Sequence, residues 1–336
     1  MTSENEMNIL DVIKEKARAK NRKVVLPEGH EPRTIQAAKI ISEQKIAEVT
    51  ILGNKDEIAK LAKEHSLDLN RVQVIDPAKA ELLPEFIEEF VEIRKKKKIT
   101  PEQAETAMKQ NLYFGAMMVR KDLADGSVAG AVNTTGDVLR AAIQVIGLAK
   151  GINTVSGAFM MTIPEFRGKK NKIFMYADGA VVPNPNPEQL ASIAAATAQT
   201  HKNLTGVEPR VAMLSFSTKG SASHPDVNKV TAALEIIRRD FPDLKVDGEL
   251  QVDAAIIPDI ANKKCPGSPI GGDANVLIFP DLDAGNIAYK ITQRLAKATA
   301  TGPIVQGMAK PANDLSRGCS AQDIVDVTAI AMLMKG

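Results

Sequence analysis

Short apolar runs alternate with longer stretches of helical period along almost the whole chain. KVVLPE (23–28), EVTILG (48–53), VQVID (72–76), SVAGAV (127–132), KIFMYAD (172–178), RVAMLSF (210–216) and NVLIFP (275–280) are the clearest strands. Amphipathic segments at 32–44, 83–98, 136–147, 187–201, 226–239 and 285–298 lie between them and read as helices. A parallel strand pair needs a crossover, and a helix supplies it, so this alternation predicts α/β folding with largely parallel sheets. Local chemistry marks some helix starts. TPEQ (100–103) offers Thr100 as N-cap, Pro101 at the first helical position and Gln103 to close a capping box, and NPEQ (186–189) repeats the device.

A chain of 336 residues exceeds what one hydrophobic core usually serves, so two α/β domains with an active-site cleft between them are expected. No flexible linker marks the boundary. One crossing is placed near 150, after VIGLAKG, and a second near 306, where ATGPIVQGMAKPANDLSRG becomes rich in glycine and turn residues. This assigns 1–150 plus 307–336 to a first domain and 151–306 to a second. The last helix, AQDIVDVTAIAMLM, would return to the first domain, a return that composition alone does not secure.

Composition narrows the partners. Hydrophobic residues are 44% and charged residues 25%, the balance of a folded soluble protein. Lysine and arginine number 43 against 41 acidic residues, so the overall field is weak and gives no argument for nucleic acid or an anionic membrane. Tryptophan is absent and aromatics are 4%, which removes the stacking platforms of single-stranded nucleic-acid binders. The start, MTSENEMNILDVIKEKARAK, is amphipathic and carries acidic residues without the apolar run of a signal peptide, and no transmembrane stretch follows. The only cysteines are Cys265 and Cys319, and a chain this large needs no disulfide staple, so a reducing cytoplasm is expected.

The common nucleotide fingerprints, G-x-G-x-x-G and G-x-x-x-x-G-K-[ST], do not occur. His30, His65, His201 and His224 are scattered, with no metal-ligand spacing, so no metal site is expected. Chemistry is expected to rest on arginine, serine and aspartate. In NTTGDVLRAAIQ (133–144), small polar residues precede a helix that carries Arg140, either an anion site on free backbone N–H groups or a capped helix with a solvated arginine. LSFSTKGSASHPD (214–226) joins a strand to a helix and is read either as a phosphate-contacting loop or as a hydroxyl-rich turn. Five cations, Arg94 to Lys98, stand at a helix C-terminus, where the helix dipole favours them. In DLSRGCSAQD (314–323), Ser320 and Asp323 fit a capping box, but a cap has no use for Ser316, Arg317 and Cys319 just upstream.

Taken together, VVLPEGHEPRTIQAA (24–38), YADGAVVPNPNPEQLASIA (176–194), VAMLSFSTKGSASHP (211–225), DGELQVDAAI (247–256), ANVLIFPDLDAGNIAYK (274–290) and GPIVQGMAKPANDLSRGCSAQDIV (302–325) resemble the phosphate acetyltransferase family over essentially the whole chain. The likeness is to the short, single-module form, of the kind used in acetate or ethanolamine metabolism. It implies reversible acetyl transfer between acetyl phosphate and coenzyme A, with acetyl-CoA and inorganic phosphate as the other pair of substrates and no metal or permanently bound cofactor. It also implies an isocitrate/isopropylmalate dehydrogenase-like fold of two α/β domains and a homodimer.

Carried over position by position, the resemblance makes Asp323 the base that takes the thiol proton, while Ser316 and Arg317 hold the thiol and polarise the acyl carbonyl. Arg140 falls at the acyl phosphate and Arg94 at CoA; Thr135 and the loop residues Ser217, Thr218, Lys219 and Gly220 are assigned to substrate or CoA binding. A thiol near 8.5 facing an aspartate near 3.9 leaves about 6 kcal/mol for full proton transfer in water, so the base must be desolvated or the transfer must accompany attack. Cys319 invites an acetyl-enzyme, but no histidine neighbours it in sequence and direct attack in a ternary complex needs no covalent step. The rival readings are a phosphate butyryltransferase or other short-chain phosphate acyltransferase, a silent acyl-phosphate or CoA sensor, and a hydroxyacid dehydrogenase.

Overall fold

The computed structural model describes residues 8–335, so the extreme N-terminus, residues 1–7, lies outside the described residues. Its strands are β1 (Lys23–Leu26), β2 (Glu48–Leu52), β3 (Val72–Ile75), β4 (Gly126–Ala129), β5 (Ser156–Phe166) and β6 (Lys169–Ala177), then β7 (Val211–Leu214), β8 (Val246–Leu250), β9 (Val276–Ile278), β10 (Thr299–Gln306) and β11 (Ala312–Asp314). They form two sheets, and the chain divides into two compact units. One holds residues 10–147 and 308–335, the other residues 148–307 with Asn8 and Ile9.

In the first unit the sheet order is β11-β4-β1-β2-β3 and every pair is parallel. Val24, Val25 and Leu26 of central β1 are all fully buried, so both faces of the sheet are covered, as parallel sheets require. Val25 and Leu52 pack on one core with Phe86, Phe90, Phe114 and Val145, from the helices Leu83–Arg94, Asn111–Arg120 and Thr135–Val145. The last helix, Ala321–Met334, is buried from Ile324 to Leu333 except at Asp326, and it packs against the helix Pro32–Glu43 and β4. Just before it, β11 pairs with β4, Asn313 opposite Val128.

The second unit has the order β10-β5-β6-β9-β7-β8. Its β6, β9, β7 and β8 are parallel, whereas β10, β5 and β6 pair antiparallel, a departure from the largely parallel reading. The cause is local. Arg167 and Gly168 join β5 to β6 with φ of 52° and 71°, the left-handed pair of a two-residue hairpin turn, and no crossover helix intervenes. Among the described residues no helix is long and apolar enough to cross a membrane.

Candidate active site

The segment 316–323 leads from β11 into the last helix. Ser320 is the N-cap of that helix: its hydroxyl accepts the Asp323 N–H at 3.2 Å, and Asp323 Oδ2 accepts both the N–H and the hydroxyl of Ser320 at 2.8 Å. The cap is therefore real, yet it uses only one oxygen of an exposed carboxylate, and Oδ1 has no partner among the described residues. Upstream, Ser316 Oγ accepts the Gly318 N–H at 3.2 Å, which leaves its proton free to be donated. The Arg317 guanidinium is exposed and enters no ion pair among the described residues.

Cys319 is buried, with its sulfur 3.9 Å from Arg33 Nη1. Burial pushes its thiol up, against the pull of Arg33 and with the help of the Asp323 charge. A thiol held protonated makes a poor nucleophile. Arg33 in turn fastens the segment. It donates to the carbonyls of Arg317 and Cys319 at 2.8 Å and of Ala131 at 2.9 Å, while its Nε pairs with Glu31 at 2.7 Å.

Two further carboxylates, neither singled out by sequence, organise the site from beneath. Glu28, buried just past β1, accepts the N–H groups of Gly130 (3.0 Å), Ala131 (2.8 Å), Val132 (3.0 Å) and Asn133 (2.8 Å), and Asn133 Nδ2 at 2.8 Å. The backbone donors ahead of the Arg140 helix thus already hold an anion, and it is this side chain. Asp314, 3% exposed at the end of β11, accepts the Thr135 hydroxyl at 2.6 Å through Oδ2, while its buried Oδ1 has no partner. Burial raises its carboxyl to about 6, the Thr135 bond opposes this, and the Glu28 charge adds to it. A Cβ on Gly130, at φ +112°, would stand 2.5 Å from that Oδ1, so only glycine fits there.

The Thr135–Asp314 bond therefore ties the helix that carries Arg140 to the strand that leads into Ser316 and Arg317. Thr135, assigned from sequence to substrate, spends its hydroxyl on this tie. Thr134 caps the helix by accepting the Asp137 N–H at 3.2 Å, and Arg140 is 59% exposed and pairs with Asp137 at 2.7 Å. The helix predicted for 83–98 stops at Arg94; Lys95–Lys97 form a 3₁₀ turn and Lys98 adopts φ 54°, ending the run before the Thr100 cap. Arg94 Nε is buried without a partner. Arg94 and Arg140 both favour ionisation of the Tyr113 phenol, though burial prevails and raises its pKa. That phenol lies 3.3 Å from Gln144 and its ring meets Phe90 edge-on at 5.7 Å.

The loop at 215–222 belongs to the other unit, and its donors face a carboxylate of their own chain. The Ser217 hydroxyl (2.8 Å) and the Gly220 N–H (2.7 Å) donate to buried Glu249, while Thr218 Oγ1 accepts the Gln251 N–H at 2.9 Å. Lys219 pairs with buried Asp247 and donates to the Gly248 carbonyl at 2.9 Å. The hydroxyls thus build a cradle, but it is filled by Glu249. Among the described residues no cluster of histidine, cysteine, aspartate and glutamate is placed to hold a metal.

Exposed Arg317 and Arg140, on elements tied together by the Thr135–Asp314 bond, are guanidinium groups of the kind that can meet an anionic substrate. Residues 8–332 match the family described as phosphate acetyl/butaryl transferase, and the chain belongs to that family. Phosphate acetyltransferase of Thermoanaerobacterium thermosaccharolyticum is 54% identical over 96% of this chain and 98% of its own length. A solved phosphotransacetylase from Streptococcus pyogenes superposes with a TM-score of 0.91 at 41% identity, covering 98% of each chain. A Salmonella typhimurium structure proposed to be a 4-hydroxythreonine-4-phosphate dehydrogenase matches at a TM-score of 0.55 and 12% identity, over 94% of this chain and 99% of that one. That last likeness is one of fold alone, and it agrees with the dehydrogenase-like α/β architecture expected from the sequence.

Proposed function

We propose that this chain is a phosphate acetyltransferase that interconverts acetyl phosphate and CoA with acetyl-CoA and phosphate by direct attack of the CoA thiol. Its likeness over nearly its whole length to a relative of that name carries the activity. The free oxygen of Asp323, seven positions from the free hydroxyl of Ser316, supports the assignment of roles. In this reading Asp323 Oδ1 takes the thiol proton as the new C–S bond forms, because its exposed position gives no desolvation to drive an earlier, separate transfer. Sulfur attacks the acetyl carbonyl carbon, the C–O bond to phosphate breaks, and phosphate leaves with the bonding pair.

Ser316 donates to the sulfur or the carbonyl oxygen. Arg317, Arg140 and Arg94 are assigned to the anions, Arg317 and Arg140 at the acyl phosphate, where a guanidinium fork matches phosphate oxygens and counters the charge that builds as the C–O bond breaks. Arg94 is assigned to CoA, and its buried, unpartnered Nε supports a ligand there. Thr135, through Asp314, places Arg140, and the Ser217–Gly220 loop is proposed to act through its shape, with its donors held on Glu249.

A homodimer is part of the proposal. Ile287, Ile291 and Leu295, one turn apart on the helix Leu282–Leu295, are 56%, 51% and 82% exposed, an apolar stripe that a second copy would cover. Both cysteines are free and buried, in keeping with a reducing cytoplasm. The test of the activity is thioester formation from CoA with acetyl, propionyl and butyryl phosphate by the purified chain. Acetyl phosphate is expected to give the highest kcat/KM, and a preference for butyryl phosphate would reject the acetyl reading.

A further inference from the structure

Tyr113, on the helix Asn111–Arg120, touches both of the helices that carry Arg94 and Arg140. Its ring meets Phe90 edge-on, with the centroids 5.7 Å apart, and its hydroxyl donates to Gln144 Oε1 at 3.3 Å. Phe90 stands four residues before Arg94 on the helix Leu83–Arg94, and Gln144 four residues after Arg140 on the helix Thr135–Val145. Side chains four apart lie on one helical face, so Tyr113 bridges the face that bears Arg94 and the face that bears Arg140. All of these residues belong to the unit that holds residues 10–147.

The donors gathered there are poorly used. A hydroxyl-to-oxygen bond ordinarily spans about 2.5–3.0 Å, so the contact with Gln144 is long and weak. Arg94 Nε is buried without a partner, and Arg140 pairs with Asp137 through Nη1 alone, at 2.7 Å, which leaves the rest of its fork free. The acidic residues of these helices do not fill the gap. Glu85, Glu89 and Glu92 pair with Lys121, Arg120 and Lys95. Glu88 is exposed and, two residues from Phe90, lies on the opposite side of its helix. Asp137 opposes both arginines at the phenol, but it already accepts the Thr134 hydroxyl at 2.7 Å as well as Arg140. Burial keeps the half-buried phenol protonated, and so a donor, against the pull of the two guanidinium groups.

We propose that Tyr113 is a substrate-binding residue, whose hydroxyl leaves Gln144 and donates to a phosphate group of a substrate that reaches Arg94 or Arg140. A bond to a charged oxygen is shorter and stronger than the present one to a neutral amide, so the exchange is favourable. The inference rests on the acyl-phosphate chemistry proposed for this chain, and it adds a neutral donor to the arginines assigned there. The phosphate is either that of the acyl donor, to which Arg140 is assigned, or one of CoA, to which Arg94 is assigned.

The test is Tyr113→Phe in the full chain, which keeps the ring against Phe90 and removes only the hydroxyl; a thermal melt checks the fold. Initial rates are read with acetyl phosphate and with CoA or dephospho-CoA varied in turn, and Gln144→Met, which removes the present acceptor, is run beside it. KM for one substrate is expected to rise about tenfold in Tyr113→Phe, with kcat within about twofold of wild type and Gln144→Met near normal. A rise for acetyl phosphate places the contact on the acyl donor. A rise for CoA that vanishes with dephospho-CoA places it on the 3′-phosphate, and one that persists places it on the pyrophosphate. KM values within about twofold of wild type for both substrates, or equal losses in Tyr113→Phe and Gln144→Met, would overturn the proposal and leave Tyr113 as a tie between helices. Calorimetric titration with CoA and with inorganic phosphate is read alongside. A wild type without turnover would then reject the acetyl-transfer reading, whereas about tenfold weaker binding of either ligand by Tyr113→Phe would still sustain the contact.

Discussion

Replacing Asp314 by asparagine isolates one buried charge. The folded carboxyl titrates at about 6, whereas a free aspartate does so near 3.9. Below the lower value the group is protonated in both states and costs nothing. Between the two, the folded chain keeps a proton that the unfolded chain has lost, so its contribution to stability falls as pH rises. Above the upper value the full cost remains, about two pH units at 1.36 kcal/mol each, or roughly 3 kcal/mol. Integrating the linkage, about half of that, ~1.4 kcal/mol, develops between pH 5 and 8. Asparagine still accepts the Thr135 hydroxyl but carries no proton to lose. Hydrogen exchange at β1 and β4 amides, read under urea, reports the opening free energy of this unit without requiring the whole chain to unfold in one step. The gap between Asp314→Asn and wild type is expected to widen in favour of the variant by ~1.4 kcal/mol from pH 5 to pH 8. A gap that does not change with pH, or a wild type more stable than the variant at pH 8, would refute the assignment of a strained, buried carboxyl.

Glu28→Gln keeps the shape of the side chain but turns an NH2 toward donors that need an acceptor; with orphaned N–H groups at 1–3 kcal/mol each, a loss of at least ~3 kcal/mol is expected in the same exchange experiment. Arg140→Ala and Arg317→Ala remove exposed side chains, so melting should be nearly unchanged while kcat falls by roughly 10²–10³, the scale of one lost transition-state donor of ~2.7–4 kcal/mol; near-normal turnover in either would remove that residue from the site. Cys319→Ala should retain most of its turnover, because a thiol that burial keeps protonated is a poor nucleophile, and loss of all turnover with CoA binding intact would restore the acetyl-enzyme route.

Much of the fold is legible in the order of residues, and the misses have physical causes. The strands KVVL, EVTIL and VQVI and the helix Ala321–Met334 stand where periodicity and capping chemistry place them. SGAFMMTIPEF escapes the strand pattern because it carries a proline and, buried on both faces along most of its length, shows no alternation; TATGPIVQ reads as turn-rich because of Gly302 and Pro303, yet it forms edge strand β10. β11 is only three residues long, too short for any pattern, and no local pattern marks its Asp314 as buried.

The site divides the same way. The box Ser320–Asp323 is local and readable, whereas Glu28 and Arg33 act on residues about a hundred or more positions away, which no local pattern encodes. One local signal exists: a glutamate two residues past a central apolar strand, in VVLPEG, sits where backbone N–H groups of a neighbouring loop converge. The hydroxyl-rich loop at 215–222 shows the converse. Its composition suits any anion, and only the fold reveals that Glu249 of DGELQVD occupies it.

The central claim is that Asp323 is the proton acceptor as well as a cap, and the most direct test is the rate of acetyl-CoA formation from acetyl phosphate and CoA with Asp323→Asn. Asparagine retains an oxygen to accept from Ser320, so the helix and the thermal midpoint should be nearly preserved while the base is lost. The account predicts a fall in kcat of roughly 10²–10⁴ with CoA affinity little changed. Turnover within a few-fold of wild type in that folded variant would contradict it and leave Asp323 with the cap alone.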